Sequence, residues 1–214
     1  MNYFLTGTDT GVGKTLIGSA LLFSLRRDSD AARRFQPIKP VACGGLAGRL
    51  NGSPIQDDAL LLNAATGMAY PCGDVNPVFL NAPAAPTVAA RRQHTSVDLA
   101  AVDRLLNAIN ADGRIALVEG AGGLLVPLTE TLSFADWAAA RGLTLILVAR
   151  AGLGTINHTL LSLEAAAARN LPVAAVVLNA TEPGIAPEFI ESNRDEIARC
   201  AGFPKKRIIL APYA

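Results

Sequence analysis

The stretch "LTGTDTGVGKTLIG", Leu5 to Gly18, ends in Gly-Lys-Thr ahead of an apolar run. That is how a loop that cradles phosphate ends: glycines let the backbone turn tightly, and the free N–H groups of the following helix start attract an anion. Lys14 would reach the β/γ-phosphates and the Thr15 hydroxyl would ligate Mg²⁺. The usual spacing, Gly-x4-Gly-Lys-[ST], asks for glycine at position 8, where this chain has Thr8. The nearest glycine, Gly7, lengthens the front of the loop.

A second stretch, "IALVEGAGG", places Glu119 after four apolar residues and before a glycine cluster. A carboxylate at such a strand tip would hold Mg²⁺ beside the phosphates, and the bare backbone after it would let a ligand approach. In "PIKPVACGG", Lys39 sits between Pro37 and Pro40, which stiffen it. Aimed at the site, it would neutralise charge on a transferring phosphoryl group. In "QDDALLL", Asp57 or Asp58 would supply a second metal carboxylate, although an acidic helix start is also favoured by the helix dipole alone. "ARAGLGTINHT" and "VVLNATEPG" each follow an apolar run. The first offers free N–H groups near Thr155 or a purely structural helix start. The second puts Asn179 where its amide would meet a base edge or simply close a turn. His94 and His158 have no partner spacing and read as ordinary surface residues, and no Gly-x-Ser-x-Gly elbow is present.

These stretches need elements to hold them. Short apolar runs at Tyr3–Thr6, Phe35–Lys39, Ile115–Glu119, Leu145–Ala149, Val173–Asn179 and Arg207–Leu210 are mostly continuous rather than alternating, as in strands covered on both faces. Pro37 would limit pairing in its strand. Helical patterns fall between them at Gly13–Arg27, Gln56–Ala65, Pro86–Arg92, Val97–Asn110, Phe134–Ala140, Thr155–Arg169 and Pro187–Cys200. This alternation predicts an α/β fold: a doubly wound, mostly parallel sheet with helices on both faces, which with the phosphate loop ahead of the first helix resembles the P-loop NTPases. Ligands on such sheets sit at the carboxyl ends of the strands, where the motifs above fall. The 214 residues suit one domain over 1–214.

Half the residues are hydrophobic and the net charge is +1, so no nucleic acid or anionic membrane partner is expected. The chain opens on a strand directly after Met1, without a basic and apolar leader, and no signal peptide is expected. No run approaches the ~18 apolar residues of a membrane span. Cys43, Cys72 and Cys200 have neither metal-ligand nor disulfide spacing, which fits a reducing cytoplasm.

Taken together, "TGTDTGVGKT", "KPVACG", "DDALLL", "VNPVFL" followed by "APAAP", "VEGAGGLLVPL", "SFADWA", "LGTINHTLL" and "LNATEPG" resemble the dethiobiotin synthase family along the whole chain. The long front of the phosphate loop is a feature of that family. The resemblance implies a homodimeric, ATP- and Mg²⁺-dependent ligase of biotin synthesis. It would close a cyclic urea from CO₂ and the two amines of 7,8-diaminononanoate through a carbamate and a carbamic–phosphoric anhydride. It further implies that Gly11, Val12, Gly13, Lys14, Thr15 and Leu16 hold the phosphates, and that Thr15, Asp58 and Glu119 surround Mg²⁺. Asp58 is preferred to Asp57 because it directly precedes "AL". Lys39 would be the catalytic lysine, with Lys14 and Thr10 beside it, and Thr10 and Cys43 near the reacting end of the substrate. Glu119, Gly120, Ala121 and Gly122 would line nucleotide and substrate. Asn179, Ala180, Ala211, Pro212 and Tyr213 would flank the base. Leu153, Gly154, Thr155, Ile156 and Asn157 would close over the substrate tail from the partner subunit, so that the site lies at the subunit interface.

Two positions depart from the family pattern. Gly11 stands where some members carry an acid. Cys43 replaces the usual serine and is a weaker hydrogen-bond partner. The rival reading is a ParA/MinD-like ATPase switch. That class carries a second lysine in the front of the loop, at the position where this chain has Asp9.

Overall fold

The structure is a computed structural model that describes residues 1–27, 34–50 and 53–213. Six strands form one sheet in the order β10-β9-β8-β1-β7-β2, and every pairing in it is parallel. In chain order these are β1 (Tyr3–Gly7), β2 (Phe35–Ile38), β7 (Ile115–Gly123), β8 (Thr144–Arg150), β9 (Val173–Asn179) and β10 (Ile208–Ala211). Two small pairs stand apart. β3 (Val41–Cys43) runs parallel to β6 (Val78–Leu80), and β4 (Leu46–Leu50) runs antiparallel to β5 (Ser53–Gln56).

The continuous apolar runs are explained by two cores. In β1, Phe4 enters one and Leu5 the other; in β7, Val118 and Leu117 divide the same way, as do Leu147 and Val148 in β8. One face is covered by α1 (Lys14–Arg26) and α2 (Asp57–Ala65), through Ile17, Leu22, Leu62 and Ala65. The other carries α3 (Pro86–Arg92), α4 (Leu99–Ala111), α5 (Phe134–Ala140), α6 (Thr155–Ala167) and α7 (Pro187–Ala201). The larger core centres on Phe4, which stacks on Phe134 at 5.9 Å and meets Trp137 edge-on at 6.2 Å. No described helix is long and apolar enough to cross a membrane.

Two local expectations change, and a third, limited pairing at Pro37, holds. Glu119 does not end its strand: β7 continues through the glycines to Gly123, which pairs with Gly7 past an irregularity in β1. The ladder to β1 is interrupted over Gly120–Gly122, where Gly122 sits at φ +67°, and resumes at Gly123, so Glu119 lies within the strand rather than at its tip. The fourth helix begins at Leu99 rather than Val97, because Asp98 takes the cap and accepts from the Ala101 N–H. Pro37 is accommodated because β2 is an edge strand, bonded in the sheet only to β7.

Candidate active site

The loop between β1 and α1 starts the site. Gly13 caps α1 in the left-handed conformation, at φ +89°, and no side chain occupies the first-turn N–H groups. They are open to an anion. A Cβ at Gly13 would collide with the Asn179 amide nitrogen, which donates to the Val12 carbonyl at 2.9 Å. Only glycine fits this turn, and the tip of β9 is tied directly to the loop. Lys14 Nζ donates to the Asp9 carbonyl at 3.0 Å. Burial, and next the charge of Lys39, push its pKa below the ordinary lysine value.

Lys39 follows β2 and is held by its backbone. Its N–H donates to the Val75 carbonyl, and its own carbonyl accepts from the Asn76 amide. Its ammonium lies 2.7 Å from Glu119 Oε1 and 2.9 Å from Asp58 Oδ2, and also donates to the Gly120 carbonyl at 3.2 Å. The side chain of Glu119 is fully buried. Its Oε1 accepts in addition from the Thr15 hydroxyl at 2.9 Å, while Oε2 has no hydrogen-bond partner among the described residues. Burial works against the Lys39 charge, but the Glu119 and Asp58 carboxylates outweigh it and hold the ammonium above its ordinary pKa. Burial pushes Glu119 the other way, up from the carboxylate range. Asp57, one residue earlier, points out to solvent. The helix register, which sequence alone left open, brings in Asp58.

Lys14, Thr15, Lys39 and Asp58 border a cleft of about 650 Å³, while Glu119, fully buried, and Gly120 lie behind its lining. Thr10, Gly11, Gly13, Lys14, Thr15 and Leu16 line its loop side, and Lys39, Cys43, Asp58, Ala121 and Gly122 line the sheet side. The opposite wall was not legible as site from residue types: Pro83, Ala84, Ala85, Pro86 and Val126. It is fixed by a close approach. Gly44, at φ +67°, donates to the Leu80 carbonyl, and a Cβ there would strike the Pro83 backbone. The available signal was the "NAPAAP" run, with proline at the first turn of α3. Burial pushes the Cys43 thiol up to about 11.

Ala180, Pro212 and Tyr213 border a second, apolar cavity of about 290 Å³ with Ile185, Ile190 and Leu210. The Ala180 N–H donates to the Ala211 carbonyl, which joins this cavity to Asn179 and so to the loop. Val12 and Asn179 are both buried beneath the loop. Leu153, Gly154, Thr155, Ile156 and Asn157 do not line the cleft of their own chain, and Leu153 is 92% exposed.

The oxygen donors suit a hard divalent cation. The Asp58 and Glu119 carboxylates converge on a single positive centre, and the Thr15 hydroxyl donates to one of the same Glu119 oxygens, next to the start of α1. Mg²⁺ takes this kind of site, with one or two carboxylates and the remaining positions filled by phosphate and water.

The AAA domain family model matches residues 1–206. A protein of Anaeromyxobacter dehalogenans (strain 2CP-C) named ATP-dependent dethiobiotin synthetase BioD is 45% identical over 196 residues, covering 92% of this chain and 83% of its own. One of the same name from Anaeromyxobacter sp. (strain K) is 44% identical, covering 98% and 89%. Another, from Aromatoleum aromaticum, is 38% identical, covering 91% and 85%. The chain belongs to the ATP-dependent dethiobiotin synthetase family. Gly11 and Cys43 both open onto the cleft. Nothing lies within 4 Å of a Cβ placed on Gly11.

Proposed function

We propose that this chain is an ATP-dependent dethiobiotin synthetase. It would join CO₂ to the two amines of 7,8-diaminononanoate, closing a cyclic urea with release of ADP and phosphate. The observation that carries the reading is the convergence of Lys39, Asp58, Glu119 and Thr15 beside an open phosphate loop. A second lysine at the phosphate loop is what a ligase of this kind needs. A carbamate and a triphosphate repel, and bringing them together calls for more than one cation.

The chemistry runs as follows. One amine adds to CO₂ and loses a proton, giving a carbamate. A carbamate oxygen attacks the γ-phosphorus and ADP leaves, forming a mixed anhydride. The second amine attacks the carbamoyl carbon and phosphate departs. Lys14 and the N–H groups from Gly11 to Leu16 bind the phosphates. Lys39 binds carbamate and transferred phosphoryl. Thr10 and Cys43 sit at the reacting end. The Pro83–Pro86 wall excludes water from the anhydride. Thr15, Asp58 and Glu119 would hold Mg²⁺, which supplies charge neutralisation at the phosphates. The apolar cavity at Ala180, Pro212 and Tyr213 takes the base.

We place the enzyme in a homodimer in which the partner's Leu153–Asn157 segment closes the substrate tail. The exposure of Leu153, away from its own cleft, supports this arrangement. The free thiols of Cys43, Cys72 and Cys200 suit the cytoplasm. A ParA/MinD-like switch is not favoured, since Asp9 occupies the position of that class's second lysine.

The test is ADP release by the purified protein. It is expected to require both 7,8-diaminononanoate and bicarbonate, with cyclic urea formed in step. Steady turnover without the diamine, or none with it, would sink the reading.

A further inference from the structure

The Lys39 ammonium occupies the point at which the cation-binding oxygens meet. Glu119 Oε1 and Asp58 Oδ2 lie 2.7 and 2.9 Å from it, and Thr15 donates to that same Glu119 oxygen. We propose that in the nucleotide-free protein Lys39 holds the place of the divalent cation and is set free for the substrate only when the cation displaces it. The inference rests on the assignment of Thr15, Asp58 and Glu119 to the metal.

Geometry favours an exchange of this kind over a fixed ion pair. The Lys39 backbone is bonded at both its N–H and its carbonyl, so its position does not change. The ammonium rides on a flexible four-carbon stem and lines the open cleft. The buried Glu119 carboxylate needs a cation in either state, since leaving it alone would strand a charge in the interior. Lys39 supplies that cation when the site is empty. Once a divalent ion takes over, the lysine has lost its two carboxylate partners, and the carbamate and phosphoryl oxygens in the cleft take their place beside the Gly120 carbonyl. Charge on Lys39 is thus withheld from the substrate side until the metal is in place. Lys14 has no such role, because its ammonium rests on the Asp9 carbonyl.

An internal competitor lowers apparent affinity by the fraction of protein in the competent state. Mn²⁺ binding without nucleotide, followed by electron paramagnetic resonance, is therefore expected to tighten about tenfold or more in Lys39→Met. Lys14→Met removes the same charge from the neighbourhood and is expected to change it much less. Equal affinities in wild type and Lys39→Met, or an equal gain in both variants, overturn the proposal. A second reading needs no variant. Acetylation of Lys39 in the wild-type protein, measured by mass spectrometry, is expected to speed up when Mn²⁺ fills the nucleotide-free site, and an unchanged rate overturns the proposal. Absence of Mn²⁺ binding in every protein, with ADP as well as without, overturns the metal assignment along with it. Mn²⁺ binding that ignores Lys39 overturns this inference alone.

Discussion

At the scale of single residues, Cys43 shows how position sets chemistry. It lines the cleft about a turn of chain after Lys39, half-buried, with its thiol pushed up to about 11 by burial against a weaker opposing pull from Lys39. The thiolate is the reactive form, so a protonated Cys43 is a poor nucleophile at neutral pH. Alkylation of Cys43 by iodoacetamide at about pH 8 is expected to be about 100-fold slower than that of free cysteine, from the thiolate fraction alone. Its rate is expected to keep climbing beyond about pH 10. A mass-spectrometric rate profile with its inflection near the ordinary thiol value would contradict this. Residue types were enough to single out Lys14, Thr15, Lys39 and Glu119, because each belongs to a motif with a chemical reason. They were not enough to choose between Asp57 and Asp58, since adjacent residues on a helix differ by about 100° in direction and only the packed helix decides. Asn179 shows the same limit from the other side. A strand-end amide was visible, but its bond to Val12 depends on two strands that are far apart in sequence.

At the scale of elements, the long parallel strands were legible because burial on both faces demands continuous apolar runs. The β3 and β6 triplets were not, since three residues cannot display a period. The extension of β7 through "GAGG" was hidden because glycine disfavours strands, and Gly122 takes a left-handed conformation before Gly123 rejoins β1. The start of α5 carries a prediction. Ser133 and Asp136 form a capping box, and Arg169 on the segment after α6 donates to the same carboxylate at 2.6 Å. The Ser133 hydroxyl and N–H, with Arg169, hold the Asp136 carboxyl at about 2, below its ordinary 3.8. A depressed folded-state pKa contributes stability that is fully present above the unfolded value and is lost as pH falls towards the folded one. The gap in melting temperature between wild type and Asp136→Asn is therefore expected to be constant above about pH 5 and to shrink below about pH 4. Asp136 is about one-third exposed, so solvent screening keeps the effect modest. A gap that widens as pH falls would show that the carboxylate is not stabilised by the fold.

At the scale of the whole molecule, the sheet order explains why the site is where it is. β1 is flanked by β7 and β8, so the phosphate loop emerges with Glu119 on one side and the Arg150–Thr155 connection on the other. The Glu119 side is closed by Lys39, Asp58 and the Pro83–Pro86 wall. The other side leads into α6, whose first turn follows Gly154 at φ +90° and has no side-chain cap. Its free N–H groups suit a carboxylate, yet none of Leu153 to Asn157 borders the cleft of its own chain. If the proposed dimer brings that helix start to the partner's cleft, every complete site draws on two chains. Two defects on different chains then segregate. A Lys14→Ala chain lacks phosphate binding but supplies an intact Asn157, and an Asn157→Ala chain supplies the reverse. In a mixed dimer one site carries both defects and the other carries neither. Each variant alone is expected to be nearly inactive in cyclic urea formation. Mixing and re-equilibrating equal amounts is expected to restore about a quarter of the wild-type rate, since about half the dimers are hybrids with one intact site of two. No recovery in a sample shown by mass spectrometry to contain hybrids would mean that each site is built from one chain, and Asn157 would then lose its assigned role.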